Sequence, residues 1–177
     1  MAAVKQRLTP TLFDKLVADV DLAGMRDDTE APMLSRERLQ AFSVPKLERF
    51  NEAALRATVR RELAWLLNTT NYASTADLAA YPHVATSVLN YGVPDLAGKI
   101  LAGRIVLQRA REIRSAIRTY EPRLEPNGLT VDPEGSTDRG NMVTFVIRGD
   151  ITAAAQAMPV KFHTMIDADT ADVDVQE

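Results

Sequence analysis

The chain has 177 residues, 46% apolar and 25% charged, with a formal net charge of −3. That is the make-up of one ordinary globular domain, long enough to bury a core without covalent staples. Zero cysteines exclude a disulfide framework and a cysteine nucleophile, and with only two histidines, His83 and His163, a multi-histidine metal centre is excluded as well.

No run of eighteen apolar residues occurs, and MAAVKQRLTP has no signal-peptide core. The expectation is therefore a cytoplasmic chain with no membrane insertion and no cofactor.

The first element, TPTLFDKLVADV, reads as a short amphipathic helix with Leu12, Phe13, Leu16, Val17 and Val20 at helical spacing. Residues 21–44 are polar, carry Gly24 and Pro32 and hold no sustained period until a possible turn at 35–44, so they read as a linker. The expected organisation is a docking helix over 1–20, a linker over 21–44 and a domain over 45–177. A helix from about Pro45 to Asn68 follows, with Leu47, Phe50, Leu55, Val59, Leu63, Leu66 and Leu67 as its apolar stripe. Trp65 falls at the edge of that stripe, and Glu62 on the polar face reads as a solvated position.

Residues 69–98 are rich in turns. Val84, Val88 and Leu89 are expected to be buried there, and Gly92 to end a helical turn at positive φ. A long helix then starts near Pro94–Asp95, with Leu96, Ile100, Gly103, Leu107, Ala110, Ile113 and Ile117 inward and Arg104, Arg111 and Arg118 outward. Pro122 stops it near Tyr120, because the residue before a proline is pushed out of the α region.

Residues 98–123 carry 7 basic and 2 acidic side chains, whereas residues 124–177 carry 3 and 10. The arginine-rich face reads either as solvated surface or as a protein-binding face. The absence of interleaved aromatic residues argues against nucleic acid.

Beyond Pro122 the period changes from 3.6 to 2. Val143, Phe145 and Ile147 alternate, as do Val160, Phe162, Thr164 and Ile166, with GLTVD and DVDV as two weaker strands. Asp167–Thr170 has turn chemistry for a hairpin. The predicted fold class is α+β, helices first and then a small antiparallel sheet of three to four strands.

Catalytic patterns are missing: there is no glycine-rich phosphate loop and no Gly-x-Ser-x-Gly elbow. Glu121 has Arg123 beside it, and a cationic neighbour favours the charged carboxylate, the wrong form for a general acid. The most informative cluster is Tyr120-Glu121-Pro122-Arg123-Leu124, where Pro122 fixes how a carboxylate and a guanidinium project. It reads either as an intramolecular helix-end salt bridge or as a recognition corner.

The strings RELAWLLNTT (61–70), SVLNYGVPDL (87–96) and YEPRL (120–124), with TLFDKL (11–16), resemble the TssE baseplate subunits of type VI secretion systems. These group with the lysozyme-like baseplate wedge proteins of contractile phage tails. The resemblance implies a structural, non-enzymatic subunit that joins the wedge to the first sheath ring and helps to start sheath assembly. It implies that Glu121, Pro122 and Arg123 dock on the wedge subunits TssF and TssG. It further implies that the last strand, with Val173 and Val175 on one side, receives sheath strands (TssB/TssC) by β-sheet addition.

Thr70 stands where many relatives carry arginine. Arg123→Glu is expected to abolish wedge association while leaving the domain folded. Two alternatives stay open, a peptidoglycan hydrolase and the equivalent subunit of a phage tail or extracellular injection particle.

Overall fold

The computed structural model describes residues 11–13, 51–95, 103–136, 142–152, 157–167 and 169–177. The chain divides into two compact units, residues 1–58 and 59–177. In the first, Leu12 and Phe13 are helical. The remainder of the expected docking helix, the linker and residues 45–50 lie outside the described residues.

Helix α1 spans Glu52–Leu67. Its start is set by Asn51, whose side-chain Oδ1 accepts the Ala54 N–H at 2.9 Å while its carbonyl accepts the Leu55 N–H at 2.9 Å. That is an N-cap, and Glu52 in the first turn complements the helix dipole. Leu55, Val59, Leu63, Leu66 and Leu67 are all buried, as expected of that part of the stripe, while Leu47 and Phe50 lie outside the described residues.

In the second unit, two short 3-10 turns (Tyr72–Ser74 and Val88–Asn90) flank α2, Pro82–Ala85. Pro82 opens α2, since its missing N–H costs nothing at a first position. Helix α3 runs Gly103–Tyr120 and ends where the proline requires. Ala110, Ile113, Ala116 and Ile117 are buried while Arg104, Arg111 and Arg118 face water.

Two expectations fail here. Leu107 is exposed, because the buried arc of α3 is carried by Arg109, Ala110, Ile113, Ala116 and Ile117 and leaves position 107 outside. Val88 and Leu89 are 82% and 72% exposed, because they sit on a 3-10 turn that hides Asn90 instead.

Four strands, β1 (Thr130–Ser136), β2 (Met142–Ile151), β3 (Met158–Asp167) and β4 (Val173–Gln176), form an antiparallel meander in chain order. The fold is α+β as read from the sequence. The register lines up buried rows across the sheet: Val131–Ile147–Phe162, Phe145–Thr164–Val175 and Val143–Ile166–Val173. Helix α3 packs against β1. Burying these rows is the main stabilising term, roughly 1.5–3 kcal/mol for each large apolar side chain. At the turn of the last hairpin Ala171 has φ 61, and the Asp167 carboxylate accepts the Asp169 N–H at 2.8 Å.

Candidate functional site: the Glu-Pro-Arg corner and the outer strand

Helix α3 ends with the Glu121 N–H donating to Ile117 O at 2.8 Å, and Leu124 N–H closes a turn on Glu121 O at 3.2 Å. The corner is then fastened to the end of β2. Glu125 N–H donates to Asp150 O at 2.8 Å, and Thr152 N–H donates to Arg123 O at 2.9 Å. Pro122 is exposed at the tip of this turn.

The two charges flanking Pro122 turn inward. Glu121 is 4% exposed, and Arg123 grips its carboxylate with two prongs, Nε to Oε1 at 2.7 Å and Nη2 to Oε2 at 2.6 Å. The same Nη2 donates to Glu62 Oε2 at 2.5 Å, reaching across to α1. Glu62 in turn accepts from Arg61 Nη2 at 3.0 Å, and the Arg61 guanidinium lies 4.9 Å over the Trp65 ring. Arg61, Glu62, Glu121 and Arg123 thus form a chain of alternating charge that ties α1 to the corner.

A planar guanidinium with five donors is suited to bridging two carboxylates in this way. Glu62 is therefore not the solvated helix position its place on the polar face suggested. Nothing local marks it, because its partner lies 61 residues away.

Burial pushes the Glu62 carboxyl above its ordinary value, and Glu121 adds to the rise, against the opposing pull of Arg123 and Arg61. Burial also raises the Tyr91 hydroxyl, helped by the negative charge of Glu62 and Glu121. Tyr91 meets Tyr120 edge-on, with ring centroids 5.4 Å apart. The Tyr120 hydroxyl lies within donating distance of two carbonyls, Asn90 O at 2.8 Å and Ser87 O at 3.0 Å.

The buried Asn90 links the turns: its Oδ1 accepts the Ala73 N–H and its Nδ2 donates to Ala85 O, each at 2.8 Å. Gly92 has φ 121, as expected, and a Cβ there would lie 2.2 Å from Thr69 O. That carbonyl accepts the Val93 N–H at 2.8 Å, in a bridge that also includes Thr70.

A cleft of about 170 Å³ beside these turns is lined by Asn71, Asn90, Gly92, Glu112 and Tyr120, among others. It is smaller than the roughly 300–1,000 Å³ typical of ligand pockets. Among the described residues no cluster of His, Asp or Glu is arranged to hold a metal ion, and no helix is long and apolar enough to cross a membrane.

At the far side of the sheet, Val173 and Val175 are buried while Asp172 and Asp174 are exposed. Among the described residues β4 pairs with one strand, β3.

An α+β domain in which buried ion pairs and backbone ties fix a proline corner against a meander sheet is a scaffold for contact. Residues 53–156, more than half of the chain, match the family of baseplate wedge protein gp25, and the chain belongs to that family, which is also the family of TssE. The match takes in α1, the turn region, α3, the corner and the first two strands. No curated protein and no solved structure gives a significant match. Membership assigns the chain a structural role in a baseplate.

Proposed function

We propose that the protein is the baseplate subunit of a type VI secretion system, a TssE that joins the wedge to the first ring of the contractile sheath. The family match carries this reading, since it contains the complete Glu121-Pro122-Arg123 corner. The corner docks on the wedge subunits TssF and TssG, and the C-terminal sheet receives strands of the sheath subunits TssB and TssC in the cytoplasm. The exposed Arg104, Arg111 and Arg118 extend the wedge-facing surface with positive charge.

Two features support the docking role. Backbone bonds to Asp150 and Thr152 hold the corner rigid, so little ordering entropy is lost on binding. Pro122 is the part of the motif presented to a partner, while Glu121 and Arg123 set its attitude. A non-enzymatic role is supported by how Glu62 and Glu121 are used: they share one guanidinium rather than flanking a cleft.

The geometry changes how the reading must be tested. Arg123→Glu would bring a third carboxylate against Glu121 and Glu62, so loss of binding by that variant would report misfolding. Pro122→Asp changes the exposed tip and releases the φ that the ring fixes there, a cost of about 0.4–1 kcal/mol. Co-expression with TssF and TssG, followed by affinity capture, should give a stable complex with the wild type. Pro122→Asp should lose it while lowering the melting temperature by no more than about 4 °C, as expected of a surface change that also frees φ. Undiminished capture by Pro122→Asp would remove the corner from the interface, and no capture by the wild type would overturn the wedge assignment.

A further inference from the structure

The outer edge of β4 is not open along its length. Asp172 O accepts the Asp167 N–H at 3.0 Å, so the Asp172 carbonyl faces β3, and by antiparallel alternation the main-chain groups of Val173 and Val175 face away from it. At Val173 that outward position is filled. The Asn68 side chain, one residue beyond α1, accepts the Val173 N–H on Oδ1 at 2.9 Å and donates Nδ2 to Val173 O at 2.8 Å. Its second Nδ2 hydrogen goes to Ala64 O at 2.8 Å, which fixes the plane of the amide and decides which end is nitrogen.

A primary amide held this way reproduces the donor–acceptor pair that one residue of a neighbouring strand would offer. β4 has four residues, of which two face outward, so Asn68 occupies half of what the edge can give a partner. Only the Val175 N–H and C=O then remain to receive a strand, too few bonds for stable addition.

We propose that Asn68 is a strand mimic that closes the outer edge of β4, and that it must swing away before an extended segment of another chain is added there. The inference rests on the sheath reading above for the identity of that chain. It gives Asn68 two consequences: the free subunit is guarded against edge-to-edge self-pairing, and only a strand that outcompetes the amide is accepted. Both main-chain groups of Val173 change partner without any change in the fold.

The test uses the full chain and Asn68→Ala, with amide exchange followed residue by residue and sheath subunits captured by each. In the free wild type the Val173 amide should be protected and Val175 should exchange rapidly. Asn68→Ala should lower Val173 protection at least tenfold, and should capture TssB/TssC about tenfold more tightly, in keeping with two competing hydrogen bonds. In the complex both amides should be protected.

A Val173 amide that exchanges as fast as Val175 in the wild type, or equal capture by the two chains, would overturn the proposal. If neither chain captures sheath subunits, the sheath reading fails, and sedimentation then decides on the closed edge. Self-association of Asn68→Ala at concentrations where the wild type is monomeric supports it, and two monomers overturn it.

Discussion

Strands β2 and β3 run side by side for ten residues each, whereas residues 68–95 contain no element longer than four. The sheet is held by rows of apolar side chains, such as Val131–Ile147–Phe162, in which Ile147 has a buried neighbour on either side. The turn region and the corner are held by named polar groups: Asn90 bonded to Ala73 and Ala85, Tyr120 at two carbonyls, Arg123 between two carboxylates. Volume and apolarity are what the first region requires, and many residues satisfy them. The second requires particular donors and acceptors, so conservative changes there leave buried groups without a partner.

That contrast is broken most directly by large-to-small substitutions in the sheet. Phe145→Ala removes a fully buried side chain from the Phe145–Thr164–Val175 row and should cost about 3–5 kcal/mol in urea unfolding, whereas Phe145→Leu should cost under about 1.5 kcal/mol. Arg123→Met tests the corner in the same units. It keeps much of the volume but leaves the Glu121 carboxylate buried without its guanidinium, and should cost about 2–3 kcal/mol, less than a fully buried pair because Arg123 is 16% exposed. If the two Phe145 variants cost the same, or Arg123→Met costs nothing, the two regions do not differ as described. Gly92→Ala should cost about 2–3 kcal/mol, because the added Cβ meets a backbone carbonyl that already bonds Val93.

The same division decides what was legible in the sequence. Alternation at Val143, Phe145 and Ile147 and the proline at 122 revealed the sheet and the end of α3, because periodicity and main-chain sterics are local. Gly92 was legible for the same reason, since a glycine following a short helical turn marks a positive φ. Val88 and Leu89 were misread because a 3-10 turn of three residues has no period to expose. Glu62 and Asn68 were missed because their meaning lies in partners 61 and 105 residues away, Arg123 and Val173. The Glu-Pro-Arg string was recognisable, but whether its charges face a partner or each other depends on where α1 places Glu62.

Tyr120→Phe is a smaller test, expected to cost about 1 kcal/mol by removing one donor from the Ser87 and Asn90 carbonyls. The finest concerns the two opposing forces on Glu62. Its carboxyl is raised above the ordinary 4.5 because burial, with Glu121, outweighs the attraction of Arg123 and Arg61. Below about pH 4.5 the group is protonated both folded and unfolded, and contributes fully.

As pH rises from there towards the folded value, the unfolded chain releases a proton the folded chain keeps. The contribution of Glu62 therefore falls through that window and levels off above it. Unfolding free energies of the wild type and Glu62→Gln, measured in urea from pH 4 to 8, isolate this effect as their difference. The wild-type advantage should shrink as pH rises from about 4.5. An advantage that grows instead would mean that the short contact to Arg123 dominates burial, making the corner an ion-paired surface feature rather than a desolvated one.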